Sequence, residues 1–294
     1  VANVVQLLDE GATIPFIARY RKELHGAMDD TTLRTLEERL RYLRSLQERR
    51  ETVKSAILEK GKLTEDLSSA IDAAKTLAEV EDLYRPFKEK RRTRASMARE
   101  KGLEPLAELL FAQQPDCPAP LAAASGYINP DKGVETAEEA LAGASDILAE
   151  EISDDAAIRK ELRQRMARRA VLASRAANPE QDSVYRLYYD FSCPVAKLQG
   201  HQILALNRGE KEGFLKLSVD LPGAEGSALV CRHALRPGKT VSSFVKAAAE
   251  DAYARLIAPA AERELRNDLT SRAAEGAMGN FSLNLKPLLL QPPV

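Results

Sequence analysis

A chain of 294 residues, 44% hydrophobic and 30% charged, has room for two or three domains with their own cores. Its 43 Lys and Arg stand against 44 Asp and Glu, so the formal charge of -1 supplies no global field and any electrostatic role must come from local clusters. No apolar run approaches the roughly 20 residues of a spanning helix, which excludes a helical membrane anchor within this sequence.

Ala, Leu, Glu, Lys and Arg dominate, aromatic residues make up 5%, and Trp is absent, a composition that favours helices. A short opening helix is expected to stop near Gly11, and a second carries Ile14, Ile17 and Ala18 with Pro15 in its first turn. Asp29 or Asp30 can cap a long helix lined by Leu33, Leu36, Leu40, Leu43, Leu46, Val53 and Ile57 and ended by Gly61. Thr64 is placed to cap the next helix. Thr76 with Glu79 forms a capping box for Leu77 to Tyr84, which Pro86 breaks. Thr93 to Lys101, closed by Gly102, and a helix bearing Leu106, Leu109 and Leu110 complete a helix-turn-helix-like series.

Pro115, Pro118 and Pro120 mark a loop. Thr136 and Glu139 read as another capping box, opening an acidic helix to about Ile152. Ser153 is then expected to cap a basic helix ending near Ala177, and Asn178-Pro179 precedes a helix with Tyr185, Tyr188 and Tyr189. Phe214 to Leu221 is the best strand candidate, with Leu229 to His233 as its expected hairpin partner across Pro222-Gly223. A helix from about Val241 to Ile257 follows. Pro259 is expected at the first position of a last, separate helix with Leu265, Leu269, Ala273, Ala277, Phe281, Leu285 and Leu288 on one face. Lys286-Pro287 should end or bend it.

Charge carries the clearest functional signal. Arg85, Lys88, Lys90, Arg91, Arg92, Arg94, Arg99 and Lys101 face only Glu89 and Glu100, a net of +6 over seventeen residues. Such a cluster on short helices suits nucleic-acid phosphates; it also fits a solvated face or pairing with acids elsewhere in the fold. A secondary basic patch gathers Arg159, Lys160, Arg163, Arg165, Arg168, Arg169 and Arg175 directly after the acidic helix, so pairing within the fold is its favoured reading. The three tyrosines could stack on bases, but their helical spacing favours packing.

Cys117, Cys193 and Cys231 are scattered, with no histidine at ligand spacing, so neither a disulfide framework nor a metal site is expected, and the reducing cytoplasm is the expected location. No nucleophile-base arrangement, P-loop or GxGxxG is present, and the Asp pairs sit where caps are needed. No cofactor and no catalytic residue are expected.

Four stretches match one family in order and spacing. They are Leu7 to Glu23 (LLDEGATIPFIARYRKE), Leu83 to Thr93 running on through Ala98 to Ala107, His201 to Glu210, and Leu288 to Pro293. Together they resemble the Tex (YhgF-like) family of bacterial transcription accessory proteins, over nearly the whole chain. The resemblance implies an N-terminal helical region with a helix-turn-helix module, and both ends read as cut from a longer chain. In the family, a YqgF domain of ribonuclease-H-like fold, helix-hairpin-helix elements and an S1 RNA-binding domain follow. Within the first matched stretch, Arg19, Arg21 and Lys22 read either as phosphate contacts or as partners of buried acids, and pairing is the favoured reading, since Phe16, Ile17 and Tyr20 share the segment.

The expected fold is therefore mainly α, a multi-helix array with a helix-turn-helix-like unit and at most a small β-hairpin. The expected divisions are 1–61, 62–115, 116–240 and 241–294. The expected function is a non-enzymatic nucleic-acid-binding scaffold that takes RNA or DNA weakly through Lys88, Lys90, Arg91, Arg92, Arg94 and Arg99, with Arg163, Arg165, Arg168 and Arg169 as the secondary patch. The alternative is a protein–protein module contacting the transcription machinery.

Overall fold

Short polar side chains fix where the helices begin, because each satisfies an amide that the first turn leaves without an internal acceptor. Asp29 accepts from the Thr32 amide at 2.7 Å, and Thr64, Thr76 and Thr136 accept from the amides three residues on at 3.2 Å. Glu79 and Glu139 were expected to close capping boxes on Thr76 and Thr136. Their carboxylates instead accept from the amides of Lys75 (2.6 Å) and Glu135 (2.7 Å), one residue before the cap. A computed structural model describes residues 1–26, 28–88, 92–236 and 241–291. It divides into two compact units at Lys88–Glu89, within the 62–115 stretch expected as one module.

The first unit contains α1 (Ala2–Asp9), α2 (Ile14–Tyr20), α3 (Lys22–His25), α4 (Asp30–Glu59), α5 (Glu65–Ala73) and α6 (Leu77–Tyr84). The 30 residues of α4 make a rod of about 45 Å that serves two cores. Its first turns bury Leu33 against Val4, Ile14 and Ile17. Its later turns bury Leu46, Val53 and Ile57 against Ile71, Ala74 and Val80. Gly61, at φ +67°, adopts the left-handed backbone that stops α4.

The second unit contains α7 (Arg94–Glu100), α8 (Glu104–Ala112), α9 (Pro120–Ser125), α10 (Ala137–Asp154), α11 (Ala156–Arg169), β1 (Val171–Ala176), β2 (Asp190–Pro194), α12 (Gly200–Lys211), β3 (Leu215–Asp220), α13 (Glu225–Ala234), α14 (Ser242–Asp251) and α15 (Ala258–Leu289). The acidic helix α10 sits at its centre. Ala140, Ala144, Ile147 and Leu148 belong to one core with α7, α8 and α9, while Ala149 and Ile152 belong to a second with α11 to α15. The fold is mainly α, as expected.

Several local expectations change. Asp155, not Ser153, caps α11, accepting from the Ala157 and Ile158 amides at 2.7 and 3.0 Å. The basic helix stops at Arg169 rather than near Ala177, and Val171–Ala176 becomes the middle strand of an antiparallel sheet of order β2-β1-β3. Leu172 and Ser174 point into the core and pair with Cys193 and Phe191 on one side and Val219 and Leu217 on the other. This alternation lasts too few residues to outweigh the helical pattern before it. The strand expected at Phe214 to Leu221 is present as β3, but Leu229 to His233 is helical within α13. Leu229, Val230 and Ala234 are buried there, a helical spacing that a half-buried strand would not give.

The tyrosine segment forms only a 3-10 turn, Arg186–Tyr188. Pro259 does not open a separate helix: α14 continues through a π segment, Ala252–Ile257, directly into α15. The wider π turn lies where the proline ring would otherwise crowd the preceding turn. The helix also runs through Pro287 to Leu289. Leu265, Leu269 and Ala273 are buried, whereas Phe281 and Leu288 on the same expected face are exposed.

Gly226 lies against the Tyr253 ring so closely that a Cβ would overlap it. The variant Gly226→Ala should be destabilised by about 1–3 kcal/mol, read as a lower urea midpoint with an unchanged slope.

Candidate nucleic-acid interface

The first basic stretch is shared between the units. In the first, Pro86 ends α6 in a 3-10 turn, Arg85–Phe87, that delivers Lys88 back over the helix. The Lys88 ammonium pairs with Glu81 and stands 5.4 Å from the Tyr84 ring centre. Glu81 also binds Arg49 at 2.6 Å. Burial alone would raise the Glu81 carboxyl, but hydrogen bonds from Arg49 and Lys88 outweigh it and hold the group below its ordinary range. Lys90 and Arg91 lie outside the described residues.

In the second unit, a reciprocal cap defines the start of α7. The Ser96 amide donates to Thr93 Oγ1 at 3.0 Å, and the Thr93 amide donates to Ser96 Oγ at 2.8 Å. Arg92 and Arg94 flank this cap and both are exposed. Arg92 reaches Glu100 only at 3.8 Å, with both side chains mostly in water, so the pair is weak. Arg94 makes no ion pair among the described residues, and it occupies a first turn where the helix dipole disfavours a cation. Lys101 donates to the Gly133 carbonyl at 2.8 Å.

Arg99 has a different fate. It binds Glu150 at 2.8 Å, Glu104 at 3.1 Å and Glu151 at 3.5 Å, joining α7 to α8 and α10. Desolvation works against the Arg99 charge, but Glu150 and then the other carboxylates outweigh it and raise the guanidinium. The Glu151 carboxyl is itself raised, because its burial exceeds the pull of Arg99 at that longer distance.

The secondary patch is largely neutralised within the fold, by carboxylates of its own helix, α13 and α15. Arg159, almost fully buried, and Arg163 meet Glu264 of α15 at 2.8 and 3.9 Å. Arg165 binds Glu161, and Arg169 binds Glu225, each at 2.8 Å. Arg168 is exposed without an ion pair among the described residues. On α10, Asp146 is held by Arg255 at 3.0 Å. The tyrosines pack, although the segment is not the helix on which that expectation rests: Tyr185 is buried with its hydroxyl on Glu212 at 2.9 Å, and Tyr188 meets Phe191 edge-on.

Arg19, Arg21 and Lys22 depart from expectation. All three are exposed, and none forms an ion pair with an acid among the described residues; Arg21 lies over the Phe16 ring instead. Only Ile14 and Ile17 of α2 are buried, so Phe16 and Tyr20 do not draw the cations inward. The helical offset of 16 and 20 from 14 and 17 was the available signal.

A family profile described as "Tex central region-like" matches residues 116–281, and one described as "Tex-like protein N-terminal domain" matches residues 1–58. The chain belongs to the Tex family. It is similar to YdcI of Bacillus subtilis (44% identity) and to the protein tex of Bordetella pertussis (42%), over all of this chain and 41% and 39% of those proteins. It is also similar to human S1 RNA-binding domain-containing protein 1, at 33% identity over all of this chain and 31% of that protein. The chain thus spans about two-fifths of the length of its bacterial relatives. Within this Tex region, the residues between the two matched segments carry Arg92, Arg94 and Arg99. Among the described residues, no helix is long and apolar enough to cross a membrane.

The position of Arg99 predicts a structural phenotype. Arg99→Met should lower stability by about 1–3 kcal/mol, seen in urea denaturation, because the hydrogen-bonded guanidinium that joins α7 to carboxylates of α8 and α10 is lost. A second test concerns Glu161, whose carboxyl is held at about 2, against an ordinary 4.5, by hydrogen bonds first from His233 and then from Arg165 and Arg232. A depressed folded value stabilises above the unfolded one and is lost on acidification. Stability should therefore fall between about pH 4.5 and pH 2, and Glu161→Gln should flatten that part of the profile.

Proposed function

We propose that this part of the Tex chain is a non-enzymatic scaffold that contacts nucleic acid through the start of α7, with no residue assigned to catalysis. The observation that carries the reading is the fate of the expected cations: Arg92 and Arg94 are left to solvent while Arg99 and Lys88 are taken by carboxylates. Exposed arginines at a capped helix start, one with only the weak Glu100 contact and the other with no ion pair among the described residues, suit phosphate oxygens, where binding releases counterions. The turn at Gly102 (φ +84°) joins α7 to α8 as a helix-turn-helix-like pair. Relatives named "Transcriptional accessory protein Tex", in Neisseria gonorrhoeae, and "S1 RNA-binding domain-containing protein 1" support a transcription-linked role with RNA or DNA as partner. A cytoplasmic location accords with that role.

A second reading, contact with proteins of the transcription machinery, is favoured by the far end of α15. There Met278, Phe281, Leu283, Leu288 and Leu289 are all more than 60% exposed. A pull-down from nuclease-treated lysate discriminates the two, since partners held through nucleic acid are released.

Fluorescence anisotropy with single-stranded RNA and DNA at two salt concentrations tests the first reading. The parent chain should bind weakly, and more weakly as salt rises. Arg92→Glu/Arg94→Glu should weaken binding about tenfold or more and reduce the slope of log affinity against log salt by about 1.4. Equal affinity and slope in parent and variant would remove this surface from the function.

A further inference from the structure

Helical spacing gives α2 two faces. Ile14 and Ile17 are buried on one, whereas Phe16, Arg19 and Tyr20 stand on the other. Phe16 is 41% and Tyr20 60% exposed, with ring centres 5.4 Å apart and planes tilted by 45°. The Arg21 guanidinium lies 5.6 Å from the centre of the Phe16 ring. Arg19 and Lys22 form no ion pair among the described residues. Asp30, which lines the same open hollow as Arg19 and Lys22, is already bound by Arg34 at 2.7 Å. Glu23 is the one acid between Phe16 and Leu24.

This face adds nothing to the core of its unit, yet it sets two neighbouring aromatic rings beside Arg21 and Arg19, and Lys22 shares an open hollow with Arg19. A polyanion with flat bases complements both features. We propose that it is a stacking platform for single-stranded nucleic acid, with bases on the Phe16 and Tyr20 rings and phosphates on Arg19, Arg21 and Lys22. Rings offer every base a π face, so recognition here discriminates single from double strands rather than one sequence from another. The site lies in the first unit, apart from Arg92 and Arg94 in the second, and is tested separately from them.

The test uses the 294-residue chain with a short fluorescein-labelled oligothymidylate and an abasic strand of the same length. The parent should prefer the strand with bases by about tenfold. Phe16→Ala/Tyr20→Ala should bring the two affinities to parity, while Arg92→Glu/Arg94→Glu should keep the preference. Because the chain has no Trp, Tyr20→Trp provides a single reporter whose emission should be quenched by oligothymidylate and not by the abasic strand. A parent without preference, a preference unchanged in the double alanine variant, or an unquenched Tyr20→Trp would overturn the proposal and leave this face to a protein partner. Loss of the preference in Phe16→Ala/Tyr20→Ala alongside unchanged binding in Arg92→Glu/Arg94→Glu would uphold this site and reject the other.

Discussion

The second unit depends on how closely α7 and the turn after it approach α10. Gly143 makes the approach possible: a Cβ there would overlap the Leu103 side chain and crowd Ala98. Ala140 and Ala144 on the same helix are fully buried, so the contact is made of small residues that let backbones come near. Two turns further along α10, Glu150 and Glu151 receive Arg99. A dry contact of small side chains thus seats α7, and a charged clamp fixes its angle. With α7 held in this way, its capped end and the two arginines beside that end have a defined place on the surface.

Sequence spacing shows that α7 has an inner stripe, but it does not show which arginine turns inward. Ala95 and Ala98 form the stripe, and Arg94 and Arg99 lie on its two flanks, each about 70° from its centre. Locally, Arg94 sits in the first turn and Arg99 in the last, with Glu104 five residues on, which favours Arg99 only modestly. What decides is the pair of carboxylates at Glu150 and Glu151, some fifty residues away, which meets one flank only. The number of cations was therefore legible in the chain, while their division into clamped and free side chains belongs to tertiary structure.

The same distinction runs through the fold. Caps at Asp29, Thr64, Thr76 and Thr136 could be read because cap and amide are three residues apart. The strand Val171–Ala176 could not. It follows a helix with no glycine or proline between them, and its conformation is imposed by partners on both sides, Asp190–Pro194 and Leu215–Asp220. Likewise, Leu229 to His233 looks like a strand until the helical spacing of the buried Leu229, Val230 and Ala234 is seen. In the first unit, the hydrophobic residues of α2 form one run in sequence, but helical phase separates Ile14 and Ile17 from Phe16 and Tyr20.

The π segment at Ala252–Ile257 makes one continuous rod serve two neighbourhoods. Before it, α14 packs on α10 and α13; after it, α15 packs on α11, α12 and β3. A π turn acts as a phase adjuster, holding extra residues in a single turn. Were those six residues to wind as plain α-helix, everything downstream would rotate by about 100° and Leu265, Leu269 and Ala273 would leave their seats. A residue deleted from the α turns ahead of Leu265 would misalign the rod, whereas the wide turn already stores the one residue whose removal the downstream seats tolerate best.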